Sequence, residues 1–344
     1  MAALSLATVY ILITLTLGVI TLYLYCQKPG SVNGVAISKP AECFIAKDFS
    51  EIFPQINRVP IVRHIVKYWY CEGWYYGVVL TLVLFVSLAF MLYHLGQFMS
   101  VDEPKWIYIR VPQLFQSLLT FDWAGTYIND KPGILPSFLS GLTLLPLTRF
   151  VSYSPESMEL ILFWWRFPIV IFNIVMLYAT YLLLKRLFTK DDAILCTSLL
   201  ALNPIIVGIS QIVNPDATLW STGFLCLLSF FIFLKERNDM FAILSGILLG
   251  LALLSKYFAS FLYVAIFAAI LIYFSVDTEL TVSDLKQILI RYGIIIGVSI
   301  ITYTLFFPAT WVNAEQIWYG TFGFILKFGV LPIVVLFSIL LSDI

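Results

Sequence analysis

The sequence predicts an all-α, polytopic integral membrane protein with about nine transmembrane helices and interfacial amphipathic helices in its first outer loop. Three observations carry that prediction. The 344 residues are 61% hydrophobic and 12% charged, whereas soluble domains sit near about half apolar and about a quarter charged. Apolar runs long enough to cross a bilayer, at about 1.5 Å per helical residue, recur along the chain. The alternating segments of about ten residues that mark a transmembrane barrel do not occur.

The same composition excludes several functions. Lys+Arg and Asp+Glu both number 20, so no basic field points to nucleic acid. Five cysteines form no CxxC pair, and the only histidines are His64 and His94. That argues against a disulfide framework, a zinc site or a His-based triad. No P-loop, GxGxxG or HExxH is present, so an ATP-driven pump, a dinucleotide enzyme and a zincin lack their signatures.

Residues 1–25 form an apolar run with no Lys or Arg before it. Lacking a signal peptide's basic start, it reads as a membrane helix that stays. In the loop to residue 74, Lys28, Lys39, Lys47, Arg58, Arg63 and Lys67 outnumber Glu42, Asp48, Glu51 and Glu72. The positive-inside rule makes this loop cytoplasmic and the N-terminus external. Residues 1–74 are therefore expected as an extra membrane helix plus cytoplasmic loop. Residues 75–344 are expected as the functional domain, with an outer loop over 98–159.

The span 75–98 then runs outward and delivers Asp102-Glu103-Pro104 to the outer face. Pro104 suits the first position of a helix, with Glu103 as its N-cap. Ile107, Val111, Leu114, Leu118 and Phe121 follow at helical spacing, and Pro112 is expected to break or bend that helix. The segment reads as a helix lying on the membrane. Residues 133–150 are apolar but short, and carry Pro136, Gly141 and Pro146. The charge rule favours placing them in the interface rather than across. Further spans are expected at 160–184, 193–212, 217–234, 241–255, 258–275, 292–308 and 321–341. Asp102, Glu103, Lys105, Lys131, Arg166, Asp216 and Lys256 then all fall on the outer side. Charged groups near membrane depth are costly and tend to be paired or functional.

In their order these residues resemble a known family. A span ending in Asp-Glu, an amphipathic loop, then Lys-Pro-Pro or His-Pro-Gly before an apolar segment opens the polyprenyl-phosphate-sugar glycosyltransferases. These include the protein O-mannosyltransferases (family 39) and the aminoarabinose transferases of lipid A, which share the GT-C fold. The matching residues are Asp102-Glu103 and Lys131-Pro132-Gly133. Arg166-Phe167-Pro168 is similar to the family's Arg-Leu-Pro. Asp216 in ALNPIIVGISQIVNPDATLW and Lys256 in GILLGLALLSKYFASFL match a family Asp and Lys. The resemblance covers about residues 75–275. Three departures stand out. Lys105 occupies the place where the aminoarabinose transferases often carry Arg, so the charge remains without the bidentate fork. Residues 1–74 have no counterpart, and the luminal domains of the eukaryotic mannosyltransferases are missing.

The resemblance implies an inverting transfer of a sugar from a polyprenyl-phosphate donor to an acceptor hydroxyl on a protein, lipid or glycan. It implies Asp102 as general base and Glu103 orienting the acceptor or sugar. Lys105, Lys131, Arg166 and Lys256 are implied at the departing phosphate, and Asp216 at a cation or the donor. No cofactor is expected, and a divalent metal is not indicated. The expected setting is a prokaryotic plasma membrane with the site outward; an endoplasmic reticulum membrane also fits the residues.

Plainer readings stand beside these. Asp102-Glu103 can be a helix cap beside Pro104, and Asp216 a cap after Asn214-Pro215. Lys131, Arg166 and Lys256 can snorkel to headgroups. His94 reads as a packed residue inside a span, and Gly246 and Gly250 as a small-xxx-small packing pair. The competing function is a non-enzymatic transporter, flippase or lipid-binding protein, which would place charges or broken helices at mid-membrane in internal repeats.

Overall fold

The computed structural model of the chain describes residues 74–129, 131–148, 154, 156–276, 280–323 and 326. The expected first span, the basic loop to residue 73 and most of the expected last span lie outside the described residues. Every regular element among the described residues is helical. Among the described residues five helices are long and apolar enough to cross a membrane, or six if one bent pair counts as a span. The protein is an all-α polytopic membrane protein.

Helix α1, Trp74–Leu92, is the first of these. Only 22% of its apolar window is buried, so it faces lipid with Leu82, Phe85 and Phe90. It stops short of the expected 75–98. His94 follows in the left-handed backbone region at φ 53°, exposed, with its ring edge-on to Tyr93. The expectation of a histidine packed inside a span is therefore corrected: the helix has already ended.

The segment after α1 winds as α2, Glu103–Lys105, a π-turn Trp106–Arg110, and α3, Val111–Leu119. Pro112 does not break this helix as expected. Proline clashes with the carbonyl four residues back, and the wider π-turn just before it makes room. Ile107, Val111 and Leu114 are buried, and Leu118 packs on the core. Phe121, the last residue of that expected stripe, instead turns outward at φ 57° and is 72% exposed.

Helix α4, Ile134–Thr148, begins where the Gly133 amide bonds the Ser255 carbonyl. Its Thr143 hydroxyl donates to the Trp164 carbonyl, in the second turn of α5, Met158–Leu187. Helix α4 packs along α5.

Helices α6, Lys190–Ala201, and α7, Pro204–Ser210, replace the expected straight span 193–212 and meet at 58°. Asn203 caps α7 by accepting from the Ile205 amide at 2.8 Å, and Pro204 has no amide to continue α6. Helix α8, Pro215–Glu236, is central, with 72% of its window buried. Its Thr218, Ser221, Thr222, Gly223 and Cys226 are small enough to let neighbours approach closely. Helix α9, Asp239–Ser255, is apolar but 17 residues long. A Cβ on its Gly246 or Gly250 would strike Val298 or Thr302 on α11, Val282–Phe306. That is close packing of two helices, as expected. Between them, Tyr257–Ser260 and α10, Phe261–Val276, form a further span.

The bundle has two distinct ends. At one, Arg186 pairs with Glu236 at 2.6 Å and Arg291 with Asp239 at 3.0 Å. Lys185, Lys190, Lys235, Arg237 and Lys286 lie at that end too, beside Asp191, Asp192 and Asp284, so among the described residues it holds more Lys and Arg than the other end. The other end collects the α2–α3 segment, the starts of α5 and α8 and the end of α9. It also holds α12, Ala309–Val312, whose Trp311 ring lies 5.2 Å from Trp123.

Candidate active site

Glu103 and Arg166 form the fixed point of the non-basic end. The Glu103 side chain is fully buried and Arg166 is 1% exposed. Arg166 Nε donates to Oε1 at 2.9 Å and Nη2 to Oε2 at 2.6 Å. The Val213 amide donates to Oε1 at 3.0 Å, and the Ser100 amide to Oε2 at 2.7 Å. A carboxylate offers about four acceptor positions, and here all are used. Arg166 also donates to the Leu95 and Phe98 carbonyls. Glu103 therefore has no acceptor position to spare for a sugar, and four of the five Arg166 N–H groups are engaged within the protein. A buried charge is tolerable only when paired and hydrogen-bonded, and each supplies the other's need.

Asp216 and Lys256 form the second pair. Lys256 Nζ reaches Asp216 Oδ1 at 2.7 Å and Oδ2 at 3.0 Å. Their side chains are 28% and 36% exposed, so a ligand can reach them. Asp216 is not the cap of α8. Asn214 has that place, accepting from the Asp216 amide at 2.9 Å. The Asp216 carboxylate is thereby free to face Lys256.

Asp102, Lys105 and Lys131 are exposed. Asp102, not Glu103, stands at the N-cap of α2, yet its side chain makes no capping hydrogen bond. The cap reading therefore explains its position and leaves its carboxylate without that task.

These places are joined by direct contacts. Trp106, buried three residues after Glu103, lies under Gly133, whose missing Cβ would run into its ring. Gly133 has φ 60°, a conformation that suits glycine. Its amide bonds the Ser255 carbonyl at 3.1 Å, and the Ser255 hydroxyl meets Thr218 Oγ1 at 2.8 Å, beside Lys256 and Asp216. The Val213 amide closes the ring back to Glu103. Sequence reasoning missed Trp106, Ser255 and the Val213 and Ser100 amides. The glycine after Lys131-Pro132 was a legible signal for close approach; backbone donors have none.

A separate cavity of about 460 Å³ is lined by Leu95, His94, Gln97, Glu156, Glu159 and Phe163 among others. The Ser154 hydroxyl beside Glu156 holds that carboxyl below its ordinary range. None of the expected site residues lines it. Among the described residues no group of three His, Cys, Asp or Glu side chains could hold a metal ion.

Comparison with curated proteins and with solved structures finds no match. Residues 162–305 match the family model described as dolichyl-phosphate-mannose-protein mannosyltransferase. The matched stretch contains Arg166, Asp216 and Lys256 and leaves out the outer segment with Asp102, Glu103, Lys105 and Lys131. Over that stretch the chain is similar to the mannosyltransferases, and the match supports a membrane glycosyltransferase of the GT-C class.

Proposed function

We propose that this protein moves a sugar from a polyprenyl-phosphate donor to an acceptor hydroxyl, with inversion, at the non-basic end of its bundle. The observation that carries the proposal is the ring of contacts joining four separated motifs at that end. Asp102 takes the proton of the acceptor hydroxyl as its oxygen attacks the anomeric carbon. The bond from that carbon to the phosphate oxygen breaks, and its electrons leave with the lipid phosphate. Lys131, Lys105 and Lys256 stabilise the charge that grows there. Asp216 orients Lys256. Glu103 and Arg166 hold the frame in which Asp102 sits rather than touching donor or acceptor.

The family match favours a mannose-like hexose over a pentose, and a protein hydroxyl over a lipid or glycan one. The site end faces outward by the charge rule, in a plasma membrane of prokaryotic type. A non-enzymatic carrier is not favoured, because the charged side chains gather toward the two ends of the bundle. The test is Asp102→Asn in membranes supplied with a lipid-linked sugar. Transfer is expected to be lost with expression and stability unchanged, since Asp102 makes no capping bond. Full activity would overturn the base assignment.

A further inference from the structure

We infer that Arg110 is a positioning residue: it sets the register of the outer segment and so holds Lys131 at the site. This rests on the reading above for what Lys131 does there, but not for the register itself.

Three rungs tie the α2–α3 segment to the chain that returns from it. Trp106 lies against Gly133. Arg110 Nη2 donates to Asn129 Oδ1 at 2.9 Å. Gln113 Nε2 donates to the Gly125 carbonyl at 3.1 Å. Positions 106, 110 and 113 share one helical face, and 125, 129 and 133 pass along it in the opposite direction. Arg110 is the charged rung, and it joins two of the three. Its guanidinium carbon lies 4.4 Å from the Trp106 ring centroid while its fork reaches Asn129. A planar guanidinium can lie flat on the ring and still donate from its fork, which a lysine ammonium cannot reproduce in full.

The π-turn explains how Arg110 comes to lie there. Widening the helix over Trp106–Arg110 shifts the face that the segment presents, and such insertions recur at functional sites. Asn129 stands two residues before Lys131 and four before Gly133. Gly133 is itself fixed to Ser255, next to Lys256. Arg110 therefore acts on the site through Asn129 and Trp106, from a position outside the motifs that carry the resemblance and outside the family match.

The experiment compares Arg110→Ala, Asn129→Ala, their double variant and Asn129→Asp in purified full-length protein. The first readout is amide hydrogen exchange over residues 124–133, which needs no substrate. Arg110→Ala and Asn129→Ala are each expected to speed exchange at Gly133 by about tenfold, with α8 and α9 unchanged as a folding control. Asn129→Asp keeps the acceptor and is expected to stay near the parent. Unchanged exchange in Arg110→Ala overturns the inference.

The second readout is transfer at varied polyprenyl-phosphate-sugar concentration. Both alanine variants are expected to lower kcat by about tenfold with little change in donor KM, because Lys131 acts on the charge that grows as the phosphate departs, and the double variant to add no more than about twofold. A neutral Asn129→Ala beside an impaired Arg110→Ala would mean that Arg110 meets the donor itself, which also overturns the inference. If exchange behaves as expected but the parent protein transfers no lipid-linked sugar, the failure lies in the proposed function and the register role stands.

Discussion

Replacing Glu103 by Gln separates a frame residue from a reacting one. The change keeps shape and removes one charge from a fully buried carboxylate. Arg166, 1% exposed, is then left as an uncompensated cation. The Gln amide nitrogen must also take the place of Oε1 or Oε2, and each oxygen currently accepts two donors. Whichever way the amide turns, an N–H group faces N–H groups. Removing one partner of a buried ion pair costs about 3–5 kcal/mol. At about 1.4 kcal/mol per factor of ten, that is a loss of about two to three and a half decades in the folding constant. The assay is denaturant or thermal unfolding in detergent, with Asp102→Asn as the exposed neighbour for comparison. Glu103→Gln should lower stability by most of that amount, and Asp102→Asn by almost none. A Glu103→Gln protein with an unchanged midpoint that had lost only transfer would refute this reasoning and return Glu103 to the chemistry.

Two further expectations concern the frame and the topology. Gly133→Ala places a Cβ against the Trp106 ring in a left-handed conformation, which alone costs about 1–2 kcal/mol. Stability and transfer should both fall, measured by unfolding and turnover, and an unaffected variant would remove Gly133 from the site's framework. Cysteine at Val101, 97% exposed, should be labelled from outside the membrane and cysteine at Lys190 from the cytoplasm; the reverse pattern would invert the orientation and refute an outward-facing site.

Much of the fold was legible because membrane helices advertise themselves locally. Each must be apolar over its own length, whatever its neighbours are. The runs behind α1, α5, α8, α10 and α11 were all visible, and so was the tight approach at Gly246 and Gly250. Local signals misjudged α6 and α7, where Asn203-Pro204 inside an apolar run both caps and breaks. They also misjudged Pro112, because a π-turn can absorb a proline that an α-helix cannot. The candidate site was legible as a set of charges but not as pairs. Asp102, Glu103, Lys105, Lys131, Arg166, Asp216 and Lys256 stood out against an apolar background, since a charge near membrane depth is costly.

Composition and periodicity thus determined by themselves that this is a helical membrane protein with its unusual charges at one end. Those are properties of single segments meeting lipid or water. Only the tertiary structure decided which charges are spent on each other. Arg166 reaches Glu103 across 63 residues, and the Val213 amide reaches it across 110. Such bonds arise from the approach of distant segments, and the backbone donors among them are the same at every residue. That is why Glu103 and Arg166, which the resemblance implies at the sugar and the phosphate, are buried against each other in the fold, while Asp102 beside them stays exposed.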